Sequence, residues 1–242
     1  MAHEPETRIE LPQQVEVVAR RFAEAGGELY LVGGWLRDRL RGGACKDVDM
    51  ATDLAPTRVR KLVDDLGPVY TIGEKFGTIG LRLDDYAMEI TSFRSDTYTP
   101  GSRHPDVEPA GDIVQDLARR DFTINAMAMR IAPEPGPLVD PFDGAADLSR
   151  GRIRTPGAPG PTMAEDPLRM MRAVRFAAQL GFAIDADLLA VLSAQPEMLQ
   201  DISQERRRDE LEKILVSPHP DEGVSLLVDT GLMRFVVPEV AA

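Results

Sequence analysis

The apolar periodicity of this 242-residue chain changes character once, near Pro161. Before that point, short apolar runs at strand spacing alternate with helical stretches, and Gly-Gly, Gly-Pro and Asp-Asp pairs separate them. After it, only helical spacing recurs. The chain therefore reads as a mixed α/β half and an all-helical half, divided in the Gly/Pro-rich stretch 155–161. The expected fold class is α+β. A loose polar tail is expected over 1–12, a mixed domain over 13–155 and a helical domain over 156–242.

In the first half, Val15, Val18, Ala19 and Phe22 recur at helical spacing after Pro12, and Gly26-Gly27 ends that helix. Residues 30–32 read as a buried strand, which Gly33-Gly34 joins to a helix over 35–40. Residues 47–51 read as a strand. Pro56 opens a helix with Val59, Leu62, Val63 and Leu66 on one side. Three more strands are expected over 69–72, 78–83 and 86–93, the last two joined at Asp84-Asp85. Residues 94–110 read as one long, mobile loop, and 112–127 as a short helical pair. In the second half, helices are expected near 164–180, 186–194, 204–215 and 221–230.

Composition narrows the class of protein. No apolar run approaches the length of about 18 residues that a membrane span needs. The single cysteine, Cys45, cannot close an internal disulfide and fits a cytoplasmic setting. The net charge of −12 argues against a general nucleic-acid binder unless charge is segregated. Arginine is in fact clustered at 150, 152, 154, 169, 172 and 175, and again at 206–208.

The densest chemistry lies at the ends of expected strands. Asp47 and Asp49 are two apart, so on a strand both carboxylates face one side. Such a pair is either merely solvated or shares a cation, and hard oxygen ligands suit Mg²⁺. On the strand over 86–93, Met88 and Ile90 face the core, which turns Glu89 the other way. Glu89 is either an exposed strand residue or a third carboxylate beside Asp47 and Asp49. Gly33-Gly34 joins a strand to a helix and offers backbone N–H groups to an anion, with Arg37 one turn on. There is no Gly-Lys-Ser/Thr and no third glycine at dinucleotide-binding spacing, so those two nucleotide folds are excluded.

Two further clusters follow. Arg119 and Arg120 can grip phosphate, while Asp121 and Asn125, four apart, would share a helix face and bind a ribose hydroxyl. Asp121 as a helix cap with surface arginines is the competing reading. Asp166, Arg169 and Arg172 recur at steps of three before and within the first helix of the second half. An acceptor beside a donor reads the base edge of cytosine or adenine and repels uracil or guanine. The same spacing also describes a cap and a surface ion pair.

In this order, the segments "LVGGWLRDRLRGGACKDVDMATD", "RRDFTINAMA", "DPFDGAADLSRGRIRT", "EDPLRMMRAVRFAAQLGF" and "ISQERRRDELEKIL" resemble the class II tRNA nucleotidyltransferase and bacterial poly(A) polymerase family. The resemblance spans about 29–215. It implies a nucleotidyltransferase head with a small mixed β-sheet and a helical neck. It implies Asp47 and Asp49 as Mg²⁺ ligands, with Glu89 as accessory carboxylate. Gly33, Gly34 and Arg37 would hold the incoming triphosphate. Arg119, Arg120, Asp121 and Asn125 would grip phosphate and ribose. Asp166 and Arg169 would act as the amino-acid template that selects CTP or ATP, with Arg172 and Arg175 continuing that face. The segment 94–110 matches the one thought to help switch from C to A addition. The implied partner is the 3′ end of tRNA or another RNA, and the implied reaction is CCA addition. Poly(A) synthesis, CC-only or A-only addition, transfer to a small molecule or protein, and a catalytically silent RNA-binding module are the alternatives. Family members usually continue into further helical domains that hold tRNA, so this chain is expected to be a fragment or to carry a minimal RNA-binding part.

Overall fold

The computed structural model describes residues 9–72, 77–97 and 106–239. The chain forms two compact units. The first runs to Arg120 and resumes over Asn125–Gly144; the second comprises Asp121–Ile124 and the chain from Ala145 onward.

The first unit holds, in order, α1 (Gln13–Glu24), β1 (Leu29–Val32), α2 (Gly33–Leu40), β2 (Asp47–Thr52), α3 (Pro56–Val63) and β3 (Val69–Ile72). It continues with β4 (Thr78–Leu83), β5 (Tyr86–Ser92), β6 (Arg94–Thr97), β7 (Asp106–Pro109), α4 (Ile113–Ala118), β8 (Ala128–Ala132) and β9 (Leu138–Val139). Seven strands make one mixed sheet in the order β3-β4-β5-β2-β1-β8-β9. Only β2 and β5 pair in parallel within it; the other pairs are antiparallel.

Strand alternation builds two cores, one on each face of this sheet. Leu29, Leu31, Val48, Met50, Met88 and Ile90 pack with Val15, Val18 and Phe22 of α1 and Val59 and Val63 of α3. Tyr30, Val32 and Ala51 face the other way and pack with Ile113 and Leu117 of α4. Asp47 and Asp49 alternate with Val48 and Met50, so they share the face of Ala51.

The second unit holds α5 (Gly144–Arg150), β10 (Arg152–Ile153), α6 (Pro159–Glu165), α7 (Leu168–Leu180), β11 (Ala183–Ile184) and α8 (Ala186–Ala194). It ends with α9 (Gln204–Leu215), α10 (Pro220–Asp229) and α11 (Met233–Val236). Its core gathers Met170, Met171, Val174, Leu188, Leu192, Ile214 and Leu227 with Phe122 and Ile124. No described helix is long and apolar enough to cross a membrane.

Several expectations change. The stretch read as a loose tail is outside the described residues over 1–8, but Ile9 and Leu11 pack against the α1 core. The stretch 94–110 is not one loop: β6 and β7 pair antiparallel, because backbone groups can ladder whatever the side chains are. Residues 98–105 of it lie outside the described residues. The expected helical pair over 112–127 is α4 followed by a single 3₁₀ turn, Thr123–Asn125. The helix expected over 164–180 breaks into α6 and α7. Pro167 drives the preceding Asp166 to an extended backbone, φ −143 and ψ 97. The helical half also contains one short parallel strand pair, β10 with β11.

Candidate active site

The first unit brings a turn, two strands and a helix end to one place. β1 runs into α2 at Gly33, whose φ of +66° favours glycine. A Cβ built there would lie 3.0 Å from Asp49 Oδ2 and 3.3 Å from Arg120 Nη1. A Cβ on Gly34 would lie 3.6 Å from Arg37 Nη2 and 3.9 Å from Asp49 Oδ2. The glycine pair is therefore the floor of a small cluster of one carboxylate and two guanidinium groups. The Gly34 N–H donates to the Asp49 carboxylate.

Asp49 and Glu89 are register partners on the parallel strands β2 and β5, and Asp47 is the partner of Ala87. All three carboxylates share one sheet face. Burial pushes the Asp49 carboxyl above the ordinary carboxylate range; Arg120, the Gly34 N–H and Arg37 oppose that, and Asp47 adds to it. Glu89 is raised first by partial desolvation, then by the charges of Asp49 and Asp47. The neighbouring negative charges thus make Asp49 and Glu89 harder to ionise, and a bound cation would reverse this. Among the described residues no three His, Cys, Asp or Glu groups converge closely enough to hold an ion alone. The third carboxylate is adjacent rather than closing a cage, which leaves positions for phosphate oxygens and water.

The arginines are held by acids that the sequence reading missed. Asp116, buried on α4, accepts from Arg119 Nη2 at 2.6 Å and from Arg120 Nη2 at 3.0 Å. Burial pushes the Asp116 carboxyl up, but Arg120 and Arg119 overcome it and hold it below its usual value. Arg119 Nε also donates to the Arg94 carbonyl at 3.1 Å. Arg120 Nε is buried with no hydrogen-bond partner among the described residues. The signal for Asp116 was present: it stands three and four residues before the two arginines on a helix. Arg37 is buried, bound through Nε and Nη2 to Asp38 at 2.8 and 2.9 Å, and through Nη1 to Asn125 Oδ1 at 2.9 Å.

Asp121 and Asn125 do not share a helix face, which corrects the expectation. The segment between α4 and β8 contains the 3₁₀ turn Thr123–Asn125 and no α-helix, so the four-residue spacing is not a helical one. Asn125 joins Arg37 in the first unit. Asp121 belongs to the second unit, where its Oδ1 accepts from the Phe122 N–H at 2.8 Å and its Oδ2 from Arg172 Nε at 2.8 Å.

In the second unit, Asp166 Oδ1 accepts from the Leu168 N–H at 3.2 Å, and Oδ2 lies 3.5 Å from Arg206 Nη2. Arg169 Nη1 donates to the Thr162 carbonyl at 3.1 Å and to Glu165 at 3.0 Å. Asp166 thus pairs with Arg206, and Arg169 with Glu165. Arg172 pairs with Asp121 and lies over the Phe176 ring, 5.4 Å from its centroid. Arg175 lies 4.4 Å from the same centroid and donates to buried Glu210 at 2.9 Å. Glu210 lies far from Arg175 in sequence, and nothing local signals it.

Residues 29–154 match the model of the poly A polymerase head domain, and 181–242 match a probable RNA and SrmB-binding site of polymerase A. A CCA-adding enzyme of Levilactobacillus brevis is 40% identical over 229 residues, covering 93% of this chain and 56% of the relative. One from Geobacillus kaustophilus is 40% identical over 231 residues, covering 95% and 55%. The Bacillus stearothermophilus CCA-adding enzyme in complex with CTP superposes with a TM-score of 0.84 at 36% identity, covering 95% of this chain and 54% of that one. The Thermotoga maritima CCA-adding enzyme complexed with tRNA gives 0.80 at 28% identity, covering 95% and 54%. The chain spans just over half the length of the curated relatives it matches.

Proposed function

Because this chain belongs to the poly(A) polymerase head-domain family, we propose that it is a template-independent RNA nucleotidyltransferase that adds CMP and AMP from CTP and ATP to the 3′ end of tRNA. The observation that carries this reading is the meeting of Asp49 with Gly33, Gly34, Arg37 and Arg120 on the face that also bears Asp47 and Glu89. Residues 13–155 are taken as the catalytic head and 156–242 as the neck, a division that the matched spans 29–154 and 181–242 support. A cytoplasmic setting fits the lone Cys45.

Asp47 and Asp49 are assigned as ligands of a divalent cation, taken as Mg²⁺. The donor set fits such an ion: hard carboxylate oxygens, with Asp49 raised in pKa by burial and by the charge of Asp47, beside a cluster of N–H and guanidinium donors. Bound there, the cation supplies charge neutralisation at the reacting phosphate. Gly33, Gly34, Arg37, Arg119 and Arg120 hold the triphosphate, the guanidinium groups supplying paired N–H donors. Asp121 and Asn125 are taken to act near the ribose; Asn125 also accepts from Arg37, and Asp121 from Arg172. Asp166 and Arg169 read the base edge, and Arg172 and Arg175 stiffen α7 behind them.

In the reaction the RNA 3′-hydroxyl oxygen forms a bond to the α-phosphorus. The bond from that phosphorus to the bridging oxygen breaks, its electron pair leaves with pyrophosphate, and the hydroxyl proton passes to solvent. The protein contributes position and charge. The test is incubation of tRNA lacking its 3′ end with CTP, ATP and Mg²⁺. Three defined additions are expected, and Asp47→Ala with Asp49→Ala should abolish them while CTP still binds. Incorporation by that double variant would overturn the metal assignment. A long A ladder on any RNA would instead identify a poly(A) polymerase.

A further inference from the structure

We propose that Tyr70 and Arg82 form the landing site for the unpaired 3′-terminal nucleotide of the RNA, the base stacking on Tyr70 and a phosphate meeting Arg82. This rests on the nucleotidyltransferase reading above. It adds where on the sheet the acceptor end lies.

Asp49 pairs with Glu89, Glu89 with Gly80, and Gly80 with Tyr70, so one row crosses β2, β5, β4 and β3 on a single face. The neighbouring row runs from Asp47 through Ala87 to Arg82. At about 4.8 Å between strands, both rows lead directly away from the carboxylates. On the other side of Asp49, towards β1, the same face carries Ala51, Tyr30 and Val32 and is closed by α4 residues Ile113 and Leu117. Glu89 and Arg82 are exposed.

The direction of the reaction then selects this side. In-line displacement puts the attacking and leaving oxygens on opposite sides of the phosphorus. The triphosphate cradle touches Asp49 from the side of β1, at Gly33 and Gly34. The attacking hydroxyl therefore approaches from the side of Glu89, over β5, β4 and β3.

What lies there suits the end of an RNA strand. Tyr70 is 39% exposed, a high value for an aromatic side chain on a sheet. Its ring lies on Gly80: a Cβ there would collide with it, Cδ2 being 2.8 Å away. Glycine at this position lets the ring lie flat on the sheet, which leaves its outer face for a base. The Arg82 guanidinium has no hydrogen-bond or ion-pair partner among the described residues. An aromatic face beside an uncommitted arginine is the pairing by which proteins hold single strands.

The experiment uses the full chain and a tRNA transcript lacking its last three nucleotides, with 2-aminopurine as its 3′-terminal base. Tyr70→Ala should raise KM for RNA about tenfold, the scale of one lost base stack, with KM for CTP unchanged. Tyr70→Phe should stay within about twofold, because a phenyl ring stacks equally well. Wild type should quench the 2-aminopurine on binding without nucleotide, and Tyr70→Ala should not. Arg82→Ala, an exposed position, should also raise KM for RNA alone. Wild-type incorporation together with equal RNA KM and equal quenching in Tyr70→Ala would overturn the landing site and leave the function standing. Absence of incorporation by wild type would instead remove the reading on which both rest.

Discussion

At the scale of single residues, the candidate site is a set of charges held against their own preferences. Asp49 has a raised pKa, so the folded chain binds its proton more tightly than the unfolded chain does. Its contribution to stability is therefore full below the ordinary carboxylate pKa of about 3.9 and is lost as pH rises through the raised value. At neutral pH the ionised group is a liability that a cation would relieve. Asp49→Asn should accordingly raise Tm at pH 7 in the presence of chelator, by about 2–4 °C per kcal/mol relieved, and flatten the dependence on pH just above 3.9. A lower Tm than wild type in a calorimetric scan would contradict the burial argument. Arg169 poses a question of selectivity. It is buried and bound through Nη1 to Glu165 and a carbonyl. Arg169→Ala should relax discrimination against UTP and GTP by about tenfold, the scale of one charge-assisted hydrogen bond. A four-nucleotide incorporation assay with unchanged ratios would count against base reading by this side chain.

At the scale of elements, the β1–α2 turn and the β2–β5 pair do the positioning. Gly33 and Gly42 both have positive φ, +66° and +80°, but only Gly33 has the site above it. Each alanine substitution forces an L side chain into the left-handed region, at about 1–2 kcal/mol. A Cβ on Gly42 meets nothing within 4 Å, whereas one on Gly33 presses on Asp49 and Arg120. Both variants should lose similar stability by denaturant titration. Gly33→Ala alone should lose at least about tenfold in kcat/KM for CTP. Equal activity in the two variants would mean that the turn is only a turn. The same elements show what the sequence pattern could and could not reveal. Alternation placed Glu89 opposite Met88 and Ile90, since strand period alone decides that. That Glu89 stands beside Asp49 required the parallel pairing of two strands that are not neighbours in sequence. The helix face expected to be shared by Asp121 and Asn125 failed for a related reason. A spacing of four has meaning only on an α-helix, and the chain there makes a single 3₁₀ turn.

At the scale of the molecule, charge poses the main question. With 28 Lys and Arg against 40 Asp and Glu, the long-range field repels RNA. On the proposed function, RNA binding would rest on local groups such as Arg82 and not on net charge. The affinity of this chain for the RNA 3′ end should fall only gently with salt, with a slope of about −0.7 for each single-strand phosphate neutralised. A salt titration of Arg82→Ala should lose about one such unit. A steep slope, equal in wild type and variant, would locate the contacts elsewhere.

The chain's own order of residues determined which groups could act: two aspartates on one strand face, a glycine pair before a helix, arginines in runs, and helical spacing after Pro161. These follow from local periodicity, which short-range sterics enforce. Only tertiary pairing decided which groups meet. Asp116 binds Arg119 and Arg120, Asn125 takes Arg37, Arg172 takes Asp121, and Tyr70 lies in the row of Glu89. Apart from Asp116, each of these depends on a strand register or a helix packing between distant segments, and such pairings are set by burial of the whole core rather than by neighbours along the chain.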